Sequence, residues 1–116
     1  MLFHYQIRNY YLCASATDMR KGIDALAGVV TNELGKNPLT GDLFIFINHR
    51  KNQVKMLHWQ GDGYAVFYKR LEKGTYEIPL SNDRQISCEQ ILFLLQGVVL
   101  TSVKKRKRYS HCFVNN

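Results

Sequence analysis

Apolar residues along this chain follow two different periods. Met19, Ile23, Leu26, Ala27, Val30 and Leu34 fall three and four apart, which places them on one helical face. The spacing predicts a long helix from about Asp18 to Leu34. Oxygens on Ser15, Thr17 and Asp18 could cap its start, and Gly35 could stop it. Gly22 and Gly28 fall inside this span, each costing up to ~1 kcal/mol relative to Ala unless a neighbouring backbone packs closely there.

Elsewhere the pattern is that of strands. Tyr10 to Ala14 is aromatic-rich and predicts a short first strand. Asp42 to Asn48 is almost continuously apolar, as expected of a central strand buried on both faces. From Gln53 to Trp59 the residues alternate, with Val54, Met56 and His58 on one face and Lys55, Leu57 and Trp59 on the other. Gly61-Asp62-Gly63 reverses the chain into Tyr64 to Leu71, and Lys73-Gly74 reverses it again into Thr75 to Ile78. Asn82 to Gln85 reads as polar loop. Ser87 with Gln90 forms a capping box, predicting a short helix to about Gln96 with Ile91, Leu94 and Leu95 inward. Val98 to Val103 is apolar and β-prone. The sum is an α+β domain over residues 1–103: an antiparallel meander of four to five strands, packed by one long and one short helix. Residues 104–116 read as a basic, flexible tail.

With 116 residues there is room for one domain, and 46% apolar with 22% charged residues describes a folded chain. No uninterrupted apolar run is longer than the five residues of Leu43–Ile47, far short of the ~20 that a membrane helix needs. The N-terminus lacks the basic start, apolar centre and small-residue cleavage site of a signal peptide, so a cytoplasmic location is expected and no membrane partner. Cys13, Cys88 and Cys112 are odd in number and widely spaced, as expected of free thiols in a reducing compartment.

Charge changes the picture further. Sixteen Lys and Arg against nine Asp and Glu give +7, and five of these cations form one run, Lys104-Lys105-Arg106-Lys107-Arg108. Such a run suits a polyanion or simply keeps a tail solvated. Arg20 and Lys21 fall in the first turn of the predicted long helix, where unpaired N–H groups attract anions. Arg50 and Lys51 sit at a hairpin tip, and Lys69, Arg70 and Lys73 at a strand end. These positions could track a nucleic-acid backbone while Trp59, Tyr64 or Tyr68 stacks on bases. Catalytic chemistry has weaker support. Asp42, Asp62 or Glu72 could join a metal-dependent nuclease site, but the first two also serve their turns. The histidines lack zinc-motif spacing, and the glycines lack that of a phosphate loop. No catalytic residue, metal or cofactor is expected.

Four separated blocks carry a family resemblance: Thr17-Asp18-Met19-Arg20-Lys21-Gly22, Asn37 to Phe46, Lys55-Met56-Leu57-His58-Trp59, and Tyr68-Lys69-Arg70-Leu71-Glu72-Lys73-Gly74. In this order and spacing the chain resembles the TnpB-type accessory proteins of the insertion-sequence-66 family of bacterial transposons, over about Ile7 to Pro79. The unrelated RNA-guided nuclease of the same name is not meant. This family tends to carry an acidic residue where Gln60 stands, two arginines where His49 and Arg50 stand, and an aromatic residue where Ile78 stands. The resemblance implies a role in assisting transposition, beside a transposase and another small protein of the same element. It implies no catalytic residues, and its blocks contain Arg20, Lys21, Lys69 and Arg70.

Three functions follow as expectations. The first is a non-catalytic transposition accessory protein that binds DNA at element ends, or the transposase there. The second is an interaction module that recruits the transposase without touching DNA, through a patch around Trp59, Tyr64 and Phe67. The third is a small metal-dependent nuclease.

Overall fold

The computed structural model describes residues 7–78, 85–96, 98–99 and 104–105. Strand β2, Leu43–Ile47, has five consecutive buried side chains. A strand alternates its faces, so Phe44 and Phe46 point one way and Leu43, Ile45 and Ile47 the other. Both sets need cover, and both receive it. β2 lies at the centre of a five-stranded sheet in the order β4-β3-β2-β1-β5, where β1 is Tyr10–Leu12, β3 Gln53–Trp59, β4 Tyr64–Arg70 and β5 Gln85–Ile86. Helix α1, Ile23–Asn32, covers one face, packing Leu26, Val29 and Val30 with Phe44, Phe46 and Leu57. Helix α2, Cys88–Gln96, covers the other, where Ile91, Leu94 and the inserted Tyr76 meet Leu43, Ile45, Ile47, Val54 and Met56. A two-stranded ribbon pairs β6, Val98–Val99, with β7, Lys104–Lys105. No helix among the described residues is long and apolar enough to cross a membrane.

The fold is α+β, but the sheet is mixed where an antiparallel one was expected. β2, β3 and β4 form the antiparallel meander. β1 instead runs parallel to β2, with Tyr10 beside Leu43 and Leu12 beside Ile45. The cause is α1, which crosses over between the two strands and returns the chain to the same end of the sheet.

α1 is also shorter than the apolar stripe suggests, because residues before Gly22 bond elsewhere. Cys13 N–H donates to Ile45 O and Thr17 N–H to Ile47 O, both at 2.9 Å, which carries the chain past the end of β2. Asp18 then accepts from Arg20 N–H at 2.9 Å, closing a local turn in place of a helix cap. Gly22 is therefore the N-cap and lies outside the helix. Arg20 and Lys21 precede the helix and do not occupy its first turn. At the other end Gly35, at φ +63°, turns the chain as expected, so that Lys36 N–H reaches Val30 O.

Thr75 to Ile78 forms no strand. Tyr76 N–H donates to Lys51 O at 2.7 Å, and its ring is buried beneath the sheet as a plug. β5 begins at Gln85, within the predicted loop, by pairing with β1. The capping box is present as predicted: Ser87 N–H donates to Gln90 Oε1 at 2.8 Å, and Gln90 N–H to Ser87 Oγ at 3.1 Å. Among the described residues Cys13 and Cys88 form no disulfide, and Cys13 is buried while Cys88 is exposed.

His58 is a polar group in this core, at 2% exposure. Burial pushes its imidazole below the ordinary histidine range, against an opposing hydrogen bond with the Gly41 backbone. The unfolded chain binds this proton at higher pH than the folded one. Stability is therefore present above about pH 6.5 and is lost as pH falls through the lowered folded value. Urea unfolding at pH 7.5 and 5.5 should show a larger acid loss in the wild type than in His58→Gln. Equal losses would refute the assignment.

Candidate nucleic-acid interface

α1 covers only the inner part of its sheet face. Cross-strand pairing puts Tyr68 beside Lys55, Val66 beside Leu57 and Arg70 beside Gln53, all on the α1 side. Leu57 is under α1, but Val66 and Tyr68 remain exposed. Gln53, Lys55, Val66 and Tyr68 form the floor of an open groove of about 940 Å³. Residues 16–20 make one wall, and Asn48, His49 and Arg50 close one end.

Local bonding shapes each part. In the β2–β3 turn, Lys51 N–H donates to Asn48 O at 3.0 Å. The Asn48 side chain accepts from the N–H groups of Asn52 and Gln53. Lys51 takes a left-handed φ of 62° to complete this turn. On the floor, Lys55 Nζ donates to Lys21 O at 2.9 Å, tying sheet to wall. The same amine lies 5.7 Å from the Tyr68 ring centroid. Tyr68 OH donates to Gln53 Oε1 at 2.8 Å. The wall carries an ion pair, with Arg20 Nη2 2.6 Å from Asp18 Oδ2. Hydrogen bonds from the Arg20 guanidinium and backbone hold the Asp18 carboxyl down at about 2.

The structure thus brings Arg20 and Arg50 together, with Lys51 beside Arg50 at the hairpin tip. Lys21 contributes its carbonyl to Lys55. Arg70 stands at the rim opposite Gln53 and pairs with Glu72 at 3.1 Å. Lys69 registers with Val54, so it points to the α2 face, away from Arg70 and the groove. Lys73 is exposed in the reversal after β4. Lys104 and Lys105 have their backbone in the β6–β7 ribbon, whereas Arg106, Lys107 and Arg108 lie outside the described residues.

Lys55 is not among the candidates that charge and spacing single out, although the sequence holds a signal for it. Gln60 N–H bonds Gly63 O across a two-residue loop, with Gly61 at φ +92°. A loop of that length sets the register of the hairpin, and hence the Lys55–Tyr68 pair. The other aromatics are placed differently. Trp59 and Tyr64 meet edge to face, with centroids 5.0 Å apart, and Tyr64 packs against the α1 core. Phe67 faces the α2 core, so Trp59, Tyr64 and Phe67 do not share one surface.

The acids do not gather at one place: Asp42 and Asp62 lie at one end of the sheet and Glu72 at the other. Asp42 accepts from Thr40 Oγ1 and Asn9 Nδ2 at the start of β2. Asp62 lies at the β3–β4 turn, and Glu72 beyond the far end of β4, roughly 20 Å away at strand rise. Among the described residues, no three His, Cys, Asp or Glu side chains gather around a metal-sized space.

A small α+β domain with a cationic groove floored by an aromatic ring is the class that these features define. Its sequence places it among known proteins: the chain belongs to the IS66 Orf2-like family, whose pattern (IS66 Orf2 like protein) matches residues 8–105. It is 31% identical over 91 residues to the uncharacterized protein y4jC of Sinorhizobium fredii, covering 77% of this chain and 78% of that one. It is 33% identical over 90 residues to the uncharacterized protein y4hO of the same organism, covering 76% and 78%. No solved structure matches the chain.

Proposed function

We propose that this protein is a non-catalytic accessory protein of transposition, and that the groove beside α1 is its contact with DNA. Membership in the IS66 Orf2-like family supports the accessory role. One observation carries the DNA contact: Arg20, Arg50 and Lys55 converge on a groove whose lining contains one acid, Asp18. Phosphates are the natural counterpart of such a surface, and the overall charge of +7 would draw the partners together. The remaining partners of the proposal are the transposase and the other small protein of the element, and its location is the cytoplasm.

Recruitment of the transposase without DNA contact has less support, since Trp59, Tyr64 and Phe67 are divided between two faces. A nuclease site has less still, since Glu72 lies at the opposite end of the sheet from Asp42 and Asp62. The test is binding of the purified protein to labelled duplex DNA, with and without the terminal inverted repeat, across a salt series. Binding that weakens steeply with salt is expected. No binding at low salt, with transposase co-purifying after nuclease treatment, would overturn DNA contact in favour of recruitment.

A further inference from the structure

We infer that the groove takes an unpaired DNA strand, with the Tyr68 ring as the platform on which one base stacks. The inference rests on the reading that the groove contacts DNA, and it names the form of DNA.

The sheet sorts its aromatic residues into those already engaged and one that is not enclosed. Tyr11 is stacked on Phe44, and Trp59 is set against Tyr64. Phe67 packs on the α2-side core, and Tyr76 is buried within it. Tyr68 is 48% exposed on the open sheet face. Its hydroxyl is held by Gln53, which anchors the far end of the ring. Val66, two residues before it on the same face, extends the apolar floor and is also exposed. Lys55 stands over one face of the ring, so a base would stack on the part that Lys55 leaves open. Its amine is bonded to Lys21 O, and at 5.7 Å it stands near the ~6 Å limit of cation–π contact.

Within the floor Tyr68 and Val66 therefore offer an apolar surface, and Lys55, the wall and the end offer cations, all within one groove. A matching ligand needs flat apolar faces alongside anions. Duplex DNA presents phosphates but hides its base faces in the stack. An unpaired strand presents both from the same nucleotide, and a sequence-tolerant stack on an aromatic side chain is the usual way proteins hold it. An open groove also admits a polymer that continues past the site.

The test is fluorescence anisotropy of the full chain with labelled oligodeoxythymidine of about 12 nucleotides, within the usual site-size range, and with a duplex of equal length. Tighter binding of the single strand is expected. Tyr68→Ala should weaken it by roughly 5- to 150-fold, as for removal of one base stack, and change duplex binding by less than about twofold. Tyr68→Phe should keep single-strand binding, because the ring remains. Arg50→Ala should weaken both. Thermal unfolding of each variant separates a binding defect from a folding defect. As a check on the intact protein, photocrosslinking of a strand carrying 5-iododeoxyuridine should give an adduct at Tyr68. If Tyr68→Ala leaves single-strand affinity within twofold, or the adduct forms elsewhere, the platform is wrong. If the duplex binds tighter and only Arg50→Ala weakens it, the strand assignment falls while DNA contact by the groove stands. Failure of both probes to bind at low salt overturns DNA contact and the platform together.

Discussion

Phe46→Ala is expected to cost roughly 3–5 kcal/mol, which is the usual range for emptying a buried aromatic site. Phe46 is fully buried between the central strand and α1, in one cluster with Leu26, Val30, Phe44 and Leu57. Both walls of that site are regular elements, so neither can collapse into the space without breaking its own hydrogen bonds. Domains of this kind have about 5–15 kcal/mol in total, so the variant should sit close to unfolding. Its melting temperature should fall by more than about 10 °C. Chemical denaturation is the direct measurement. A loss below about 1 kcal/mol would mean that α1 repacks freely on the sheet, and the groove wall with it.

The second large effect is on binding. Removing Arg20 and Arg50 together should lower DNA affinity by on the order of tenfold and reduce the salt slope by about 0.7–0.9 for each phosphate no longer neutralised. Arg50 should contribute more, because Arg20 is held by Asp18. The Asp18 carboxyl sits near 2, so it is charged throughout the neutral range and opposes an incoming phosphate. Asp18→Asn removes that opposition and keeps an acceptor for the Arg20 N–H, so it should raise affinity. Lys69→Ala, on the opposite face, should leave binding unchanged. A slope that falls for Lys69→Ala and not for the double variant would place the DNA surface on the α2 side of the sheet.

Much of the fold is legible in the sequence. The unbroken apolar run at Leu43–Ile47, bounded by turn residues on both sides, matches what a strand covered on both faces requires, and it is the central strand. The alternation in Gln53–Trp59 assigns its faces, and Ser87 with Gln90 marks the start of α2. The start of α1 is not legible. Met19 continues the helical stripe and packs against the α1-side core, yet it does so from a turn. Periodicity reports most of the residues that are buried together, Ile23 excepted at 42% exposure, and it does not report whether Thr17 N–H bonds within a helix or to Ile47 O. Thr75 to Ile78 misleads for a similar reason, since an apolar residue that plugs a core resembles one in a strand.

The candidate site divides along the same line. By itself the sequence determined the local quantities: which segments alternate, where turns fall, how many cations there are, and membership in the IS66 Orf2-like family through blocks of adjacent residues. Those follow from short-range sterics and from the solvation of each side chain. The tertiary structure alone decided which cations lie together. Lys69 and Arg70 are neighbours in the chain but lie on opposite faces of β4, because a strand alternates. Arg20, Arg50 and Lys55 come from three separate segments and line one groove. The parallel return of β2 beside β1 and the passage of the chain beyond Ile47 brought them together, and both are long-range pairings.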